Sequence, residues 1–187
     1  MVSLELIKDS EVDYIEALYE NSFPKEERKS FSGMLELSKC NKTLPLVIHD
    51  EAGKAVGMCF FMLNADIALL DYLAVDKSYR NMGLGEEALK RVAELFPEKR
   101  IILEIETVDR EADNYEIRVR RKNFYIRNGL IPTNIISRLF TCRYQVLTFG
   151  EMELSFDEYA DVYYGVFGNE KIKGNIEEVS PKESEQL

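Results

Sequence analysis

The stretch that decides the fold is IALLDYLAV, residues 67–75, followed at residues 80–85 by RNMGLG and then by a helical pattern that starts at Glu86. The apolar run predicts a buried strand, and Gly83 and Gly85 allow the backbone to turn sharply and to approach a ligand closely. The N–H groups at the start of the helix have no partners within it, and the positive end of the helix dipole lies there too. This arrangement predicts a site for a phosphate or diphosphate, to which Arg80 adds a positive charge.

The glycine loop differs from two common phosphate-binding motifs. It lacks the Gly-Lys-Ser/Thr ending of a Walker loop, and it lacks the first glycine of the dinucleotide fingerprint. Two glycines between a strand and a helix also fit a tight turn without a ligand, so the neighbouring elements must decide. An amphipathic helix follows the loop and ends before Pro97, and a second apolar strand, RIILEIE, follows at residues 100–106.

This order of elements resembles the central motif of the GCN5-related N-acetyltransferases (GNAT), in which the loop binds the diphosphate of acetyl-CoA. A second segment agrees, because NFYIRNGL at residues 123–130 resembles the later Phe-Tyr-x-x-x-Gly-Phe motif of that family. The resemblance implies a mixed α/β (α+β) fold, with a mainly antiparallel central sheet, one parallel and splayed strand pair, and flanking helices. It also implies that acetyl-CoA is the acyl donor and that its pantetheine arm lies between the splayed strands. The implied cofactor-binding residues are Leu73, Ala74, Val75, Arg80, Asn81, Met82, Gly83, Leu84 and Gly85.

Hydrophobic periodicity predicts the elements around this motif. Before it, the pattern indicates a strand at 4–7, two helical segments separated by Pro24, and a β-hairpin at 44–63. The strands at 67–75 and 101–106 must be parallel, because a helix crosses between them.

The second half of the chain completes one predicted domain, residues 1–168. The pattern indicates a helix at 115–128, a closing antiparallel strand pair at 134–148, and a helix that begins with a Ser155–Glu158 capping box. Residues 169–187 are polar and charged and lack a sustained period, which predicts a flexible tail.

Composition excludes several classes of partner. The chain of 187 residues has a net charge of −10 and a pI near 4.8, whereas nucleic acids and anionic membranes require a basic surface. No apolar run approaches the roughly 18 residues of a membrane span, and residues 1–8 lack a signal-peptide pattern, so a cytoplasmic protein is expected. The three cysteines fit no metal-ligand pattern, and reduced thiols without a metal are expected.

Acyl transfer to an amine requires that the ammonium group lose a proton and that the leaving thiolate gain one. The resemblance implies that Tyr125, the tyrosine of the Phe-Tyr motif, lies near the thioester sulfur and donates the second proton. The alternative is a tyrosine that only packs beside Phe124.

The base is predicted among three carboxylates of the parallel strands. Asp71 interrupts an apolar strand, and Glu104 and Glu106 share one face of the next strand. Burial between the strands would raise the pKa of a carboxyl group, which suits a base that acts directly or through water. Alternatively, these carboxylates pair with arginines such as Arg118 or Arg121, or face solvent. The only histidine, His49, precedes a turn and is predicted at the surface.

The predicted function is therefore an acetyl-CoA-dependent N-acetyltransferase that acts on a primary amine of an unidentified small molecule or peptide. The acidic charge would attract a cationic acceptor. The acceptor pocket is predicted to involve the 20–37 segment, the ends of the two parallel strands and the hairpin at 140–143. One alternative is a non-catalytic acyl-CoA-binding sensor or regulatory module. Another is an interaction protein that assembles through the aromatic stripe at 159–166, which is otherwise core or a homodimer contact.

Overall fold

Within residues 1–182, which the computed structural model describes, eight strands form one sheet. The strands are β1 (Ser3–Leu6), β2 (Thr43–His49), β3 (Ala55–Asn64), β4 (Ile67–Val75), β5 (Arg100–Glu106), β6 (Leu130–Leu139), β7 (Cys142–Phe149) and β8 (Ile176–Glu178). The helices are α1 (Val12–Ser22), α2 (Phe31–Ser38), α3 (Leu84–Leu95), α4 (Tyr115–Arg127), α5 (Phe156–Phe167) and α6 (Asn169–Ile172). The strand order is β1-β2-β3-β4-β5-β7-β6-β8, and only β4 and β5 are parallel neighbours in this sheet. The predicted mixed α/β fold is confirmed.

The parallel strands separate part of the way along their length. They are paired from Ile67 opposite Arg100 to Leu70 opposite Leu103, and the pairing ends there. The next residue of β4, Asp71, is a bulge, because the register with β3 shifts between Phe60 and Phe61. A bulge bends its strand and increases the local twist. The space that opens between residues 71–75 of β4 and residues 104–106 of β5 is called the strand gap below.

Helices cover both faces of the sheet. On one face, Leu89 and Val92 of α3 pack with Leu103 and Ile105 of β5 in one apolar cluster. Side chains alternate along a strand, so Glu104 and Glu106 lie on the other face. That face carries α1, α2 and α5, whose aromatic side chains supply the two remaining large clusters.

Residues 169–178 form folded elements of this domain. Ile172 of α6 and Ile176 of β8 are 3% and 7% exposed and belong to the α5 cluster, and β8 pairs with β6. The prediction of a flexible tail from Asn169 is therefore wrong for this part of the chain. The two elements span four and three residues, which is too short for a hydrophobic period to show. Residues 183–187 of the predicted tail lie outside the described residues.

His49 is buried, so its predicted surface position is also wrong. Its ring is 2% exposed, and its Nε2 lies 2.6 Å from Glu11 Oε1. The cause is that His49 lies on the face of β2 that α1 covers, because Val47, two residues earlier on the same face, packs with Ile15 of α1. In the part of the chain that the structure describes, no helix is long and apolar enough to cross a membrane. No group of three or more potential metal ligands occurs there either.

Candidate active site

The glycine loop lies between the end of β4 and the start of α3. Gly83 caps α3 with a φ of +81°, a left-handed conformation that favours glycine. A Cβ at Gly83 would meet no atom within 4 Å, so this side of the loop is open. A Cβ at Gly85 would lie 3.3 Å from Phe124 Cζ, so glycine there lets α3 and α4 approach closely. The first N–H groups of α3 are thereby left accessible at the open side of the loop.

Basic side chains surround the loop. Arg80 Nε donates to the Val75 carbonyl at 3.0 Å, and Arg120 of α4 donates to Asn81 Oδ1 at 3.1 Å. The acidic residue that follows Gly85 is engaged in the helix, because Glu86 accepts from Lys90 at 2.8 Å. The loop therefore combines a helix N-terminus with two guanidinium groups, which favours an anion.

One cavity of about 700 Å³ joins the loop to the strand gap. Every residue predicted to bind the cofactor lines it except Met82, which is 65% exposed. The four predicted catalytic residues, Asp71, Glu104, Glu106 and Tyr125, line the same cavity. At its other end the lining includes residues from the segment after α1 and from the β6–β7 hairpin, namely Phe23, Glu26, Glu27, Arg28, Lys29, Phe140, Cys142 and Tyr144.

Asp71 forms a buried ion pair at the start of the strand gap. Its Oδ1 lies 2.7 Å from Lys29 Nζ, and its side chain is only 3% exposed. The Lys29 ammonium also lies over the rings of Tyr72 and Tyr163, 5.0 and 5.5 Å from their centroids. Burial would lower the pKa of Lys29, but the charges of Asp71 and Glu104 outweigh it and the pKa is raised. Lys29 therefore stays charged at neutral pH.

Glu104 is held by two tyrosines of α5. Both carboxylate oxygens accept hydrogen bonds, one from the Tyr159 hydroxyl and one from the Tyr163 hydroxyl, each at 2.5 Å. Burial raises the pKa of Glu104, and the charge of Asp71 adds to it against the opposing effect of Lys29 and the two hydroxyls. The aromatic stripe of α5 is thus core, as the sequence favoured, but its hydroxyls reach the strand gap.

Glu106 is paired with two arginines of α4. Its Oε1 lies 2.7 Å from Arg118 Nη2, and its Oε2 lies 2.8 Å from Arg121 Nη1. The pairing with arginines that the sequence left open as an alternative is therefore the arrangement found at Glu106. It ties α4 to the end of β5 across the strand gap.

Burial raises the pKa of two further titratable groups in the cavity, Tyr125 and Glu27. Burial raises the pKa of Tyr125, with Arg121 opposing, so the phenol is protonated at neutral pH. Burial also raises the pKa of Glu27 to about 7, and the charge of Glu106 adds to that effect. No sequence pattern singles out Glu27, because it lies in the charged run KEER after Pro24, where a solvated surface is the usual interpretation.

The sequence model of the Acetyltransferase (GNAT) family matches residues 9–118, more than half of the chain. The chain belongs to this family. The match covers the four strands β2 to β5, the glycine loop and the start of α4. No curated protein sequence is significantly similar to the chain.

Solved structures of low sequence identity share this GNAT fold. A putative GNAT-family acetyltransferase from Bacteroides thetaiotaomicron is 21% identical with a TM-score of 0.71, over 89% of this chain and 98% of that one. An aminoglycoside 6'-N-acetyltransferase complexed with coenzyme A is 15% identical with a TM-score of 0.63, over 82% and 99%. A spermidine N-acetyltransferase from Vibrio cholerae, in complex with CoA and spermine, is 14% identical with a TM-score of 0.58, over 79% and 94%.

Acetyl-CoA is the acyl donor in this family, and the residues present fit it. The open side of Gly83, the N-terminus of α3 and the guanidinium groups of Arg80 and Arg120 suit the diphosphate. At Leu73–Val75, β4 pairs with β3 on one edge and has no strand partner on the edge that faces β5. Such an edge presents main-chain groups to an extended ligand. The pantetheine arm is a ligand of that kind.

Proposed function

We propose that the protein is an acetyl-CoA-dependent N-acetyltransferase that transfers the acetyl group to a primary amine of a small molecule or peptide. The observation that carries this proposal is the single cavity that joins the glycine loop, the unpaired edge of β4 and a group of buried titratable side chains. A donor that binds at the loop would extend into the strand gap, and an acceptor would approach from the other end. The two substrates would therefore meet in one complex.

The acceptor end favours an amine that carries positive charge. Its lining includes Glu26 and Glu27 together with the aromatic rings of Phe23 and Phe140, and the whole chain has a net charge of −10. Carboxylates and aromatic faces both attract ammonium groups. Two of the structural relatives are a spermidine N-acetyltransferase and an aminoglycoside 6'-N-acetyltransferase, and spermidine and aminoglycosides are cationic amines. This supports a cationic acceptor.

The proposed reaction has a defined fate for each bond and proton. The ammonium group of the acceptor loses one proton, its nitrogen forms a bond to the thioester carbon, and the C–S bond breaks. The nitrogen then releases a second proton to solvent, which leaves a neutral amide. Tyr125 donates its phenolic proton to the thiolate and recovers a proton from solvent. The raised pKa of Tyr125 keeps that proton in place until the thiolate forms.

The three carboxylates predicted as bases differ in their availability. Both oxygens of Glu104 and both oxygens of Glu106 are engaged, which supports roles in holding the cavity together. Asp71 keeps one oxygen, Oδ2, without a partner in the described part of the chain. Burial raises the pKa of Asp71, and the Lys29 ammonium opposes that rise. However, the other carboxylate oxygen of Asp71 is engaged in the ion pair with Lys29, which supports a role in positioning that segment.

The test is an acetylation screen that follows free-thiol release from acetyl-CoA. The acceptors are polyamines, aminoglycosides, amino acids and peptides with free N-termini, and mass spectrometry identifies the acetylated product. We expect acceptor-dependent thiol release with at least one cationic amine. A rise in melting temperature with acetyl-CoA but no thiol release with any amine would instead support the sensor alternative. No rise in melting temperature would overturn both.

A further inference from the structure

We infer that Glu27 is the general base of the reaction, and that Tyr72, Lys29 and Asp71 are positioning residues that hold it over the strand gap. This inference rests on the proposed function. It assigns the proton-accepting step to a side chain outside the parallel strands.

The backbone around Glu27 is fixed to β4 at the bulged residue and at the residue that follows it. Glu27 closes a short turn, Lys25–Glu27, after Pro24, and its carbonyl accepts from the Tyr72 hydroxyl at 2.7 Å. Two residues later, Lys29 reaches Asp71, and the Lys29 N–H donates to the hydroxyls of Tyr19 and Tyr72. These contacts attach the segment at two adjacent strand residues. A side chain between them is held in one place relative to the strand gap.

The carboxylate of Glu27 is available where those of the strands are not. It lines the cavity, and within residues 1–182 it has no hydrogen bond or ion pair, whereas Asp71, Glu104 and Glu106 each have at least one such partner. A base must be free to accept a proton from the acceptor. Glu26 also lines the cavity, but its side chain is exposed, whereas Glu27 is partly buried.

Charged groups on β5, on α4 and on other parts of the cavity lining surround Glu27. Glu104 and Glu106 of β5 make its ionisation less favourable, and Arg118 and Arg121 of α4 make it more favourable. The other titratable or charged groups that face this part of the cavity are Glu26, Arg28, Lys29, Asp71, Cys142 and Tyr144. Burial is the largest effect, and the resulting pKa of about 7 is close to the pH at which such an enzyme works.

The proton transfer balances with the rest of the reaction. An N–H proton of the acceptor ammonium moves to a Glu27 oxygen, directly or through one water, and the freed electron pair forms the new C–N bond. The C–S electrons leave with sulfur, which takes the proton of Tyr125. The new C–N bond leaves the nitrogen with one proton too many for a neutral amide, and this second N–H proton passes to solvent, from which Tyr125 regains one. After the products leave, Glu27 also returns its proton to solvent, so that one proton is released in each turnover.

The experiment compares Glu27→Gln with Glu26→Gln as a matched control, using the acceptor found in the screen. Because the base must be deprotonated, kcat/KM of the unaltered enzyme should rise with pH through about 7. The acceptor amine itself titrates near ~10, well above this step. We expect Glu27→Gln to lower kcat/KM about 100-fold or more at pH ~8 and to abolish the step near 7. Glu26→Gln removes the other carboxylate at the acceptor end, so it should raise KM for a cationic acceptor but keep kcat and the pH step, and acetyl-CoA affinity should be unchanged in both variants.

Glu27→Asp separates a chemical role from a structural one. It keeps a carboxylate but shortens the side chain, so a slower rate with the pH step retained supports the base assignment. A Glu27→Gln enzyme that keeps the pH step, or loses less than about threefold in rate, overturns the inference but leaves the proposed function standing. Unaltered protein that acetylates no amine overturns both together.

Discussion

Lys29 Nζ lies 2.7 Å from Asp71 Oδ1, and Asp71 is the bulged residue of β4 at which the strand gap begins. The Asp71 side chain is 3% exposed and the Lys29 side chain is 21% exposed, so little water reaches the pair. In such surroundings each charge depends on the other for compensation. The ion pair therefore links the segment between α1 and α2 to the strand that lines the candidate donor site.

Removal of one charge of this ion pair should lower the stability of the fold. We expect Lys29→Met to lower the free energy of unfolding by about 3–5 kcal/mol, because the Asp71 carboxylate would stay buried without its counter-charge. Urea unfolding followed by circular dichroism measures the change. The double variant Lys29→Met with Asp71→Asn should recover much of the loss, since neither charge then remains.

The control for this prediction is an exposed ion pair. Lys90→Met removes the partner of Glu86, and these side chains are 67% and 50% exposed. We expect a change within about 0.5 kcal/mol. If Lys29→Met cost no more than Lys90→Met, the buried pair would have no special role in stability.

The glycine loop predicts a specific loss of donor binding. We expect acetyl-CoA to raise the melting temperature of the unaltered protein, and Gly83→Glu to abolish that rise. A Glu side chain there would extend from the open side of the loop and bring negative charge to the anion site. Gly53→Glu is the matched control, because Gly53 has a similar φ of +76°, equally open surroundings and a place in the β2–β3 turn.

Both variants should lose about 1–2 kcal/mol of stability from the left-handed backbone conformation. Only Gly83→Glu should lose the response to acetyl-CoA. An equal response in the two variants would mean that the loop does not hold the diphosphate.

The donor half of the site was predictable because its signals are local in the sequence. Strand, glycine loop and helix follow one another between Ile67 and Leu95, and the periodicity of β5 places Glu104 and Glu106 on one face. Neither the cavity nor its charge pairing follows from that pattern. Glu106 meets Arg118 and Arg121 because α4 packs against β5.

The acceptor half was less predictable because its properties depend on distant parts of the chain. Glu27 is influenced by β5 and α4, more than 70 residues away in sequence, and its own segment is indistinguishable from a solvated loop. Tyr159 and Tyr163 were expected in the core, but the carboxylate that their hydroxyls contact lies on β5. Residue types and spacing do not specify such contacts.

The segment after Gly168 predicts that truncation of a buried isoleucine there lowers stability more than truncation of an exposed isoleucine elsewhere. Ile172 of α6 is 3% exposed and packs in the α5 cluster, whereas Ile131 of β6 is 40% exposed. We expect Ile172→Ala to lower the free energy of unfolding by about 2–5 kcal/mol, because it leaves a cavity. Ile131→Ala should change it by about 1 kcal/mol or less. Equal, small effects in urea unfolding would mean that the segment after Gly168 contributes little to the fold.

The role of Tyr125 is tested by removal of its hydroxyl alone. We expect Tyr125→Phe to fold normally and to keep its affinity for acetyl-CoA, while kcat falls roughly 10- to 1000-fold with the acceptor at saturation. Burial raises the pKa of Tyr125, so the phenol stays protonated across the neutral range and the fall should be constant there. Tyr164→Phe removes a hydroxyl from α5 that does not line the cavity, and it should leave kcat unchanged. If Tyr125→Phe kept the rate of the unaltered enzyme, the Tyr125 ring would serve only to pack against Phe124, whose ring centroid lies 5.2 Å from its own. The thiolate would then take its proton from solvent.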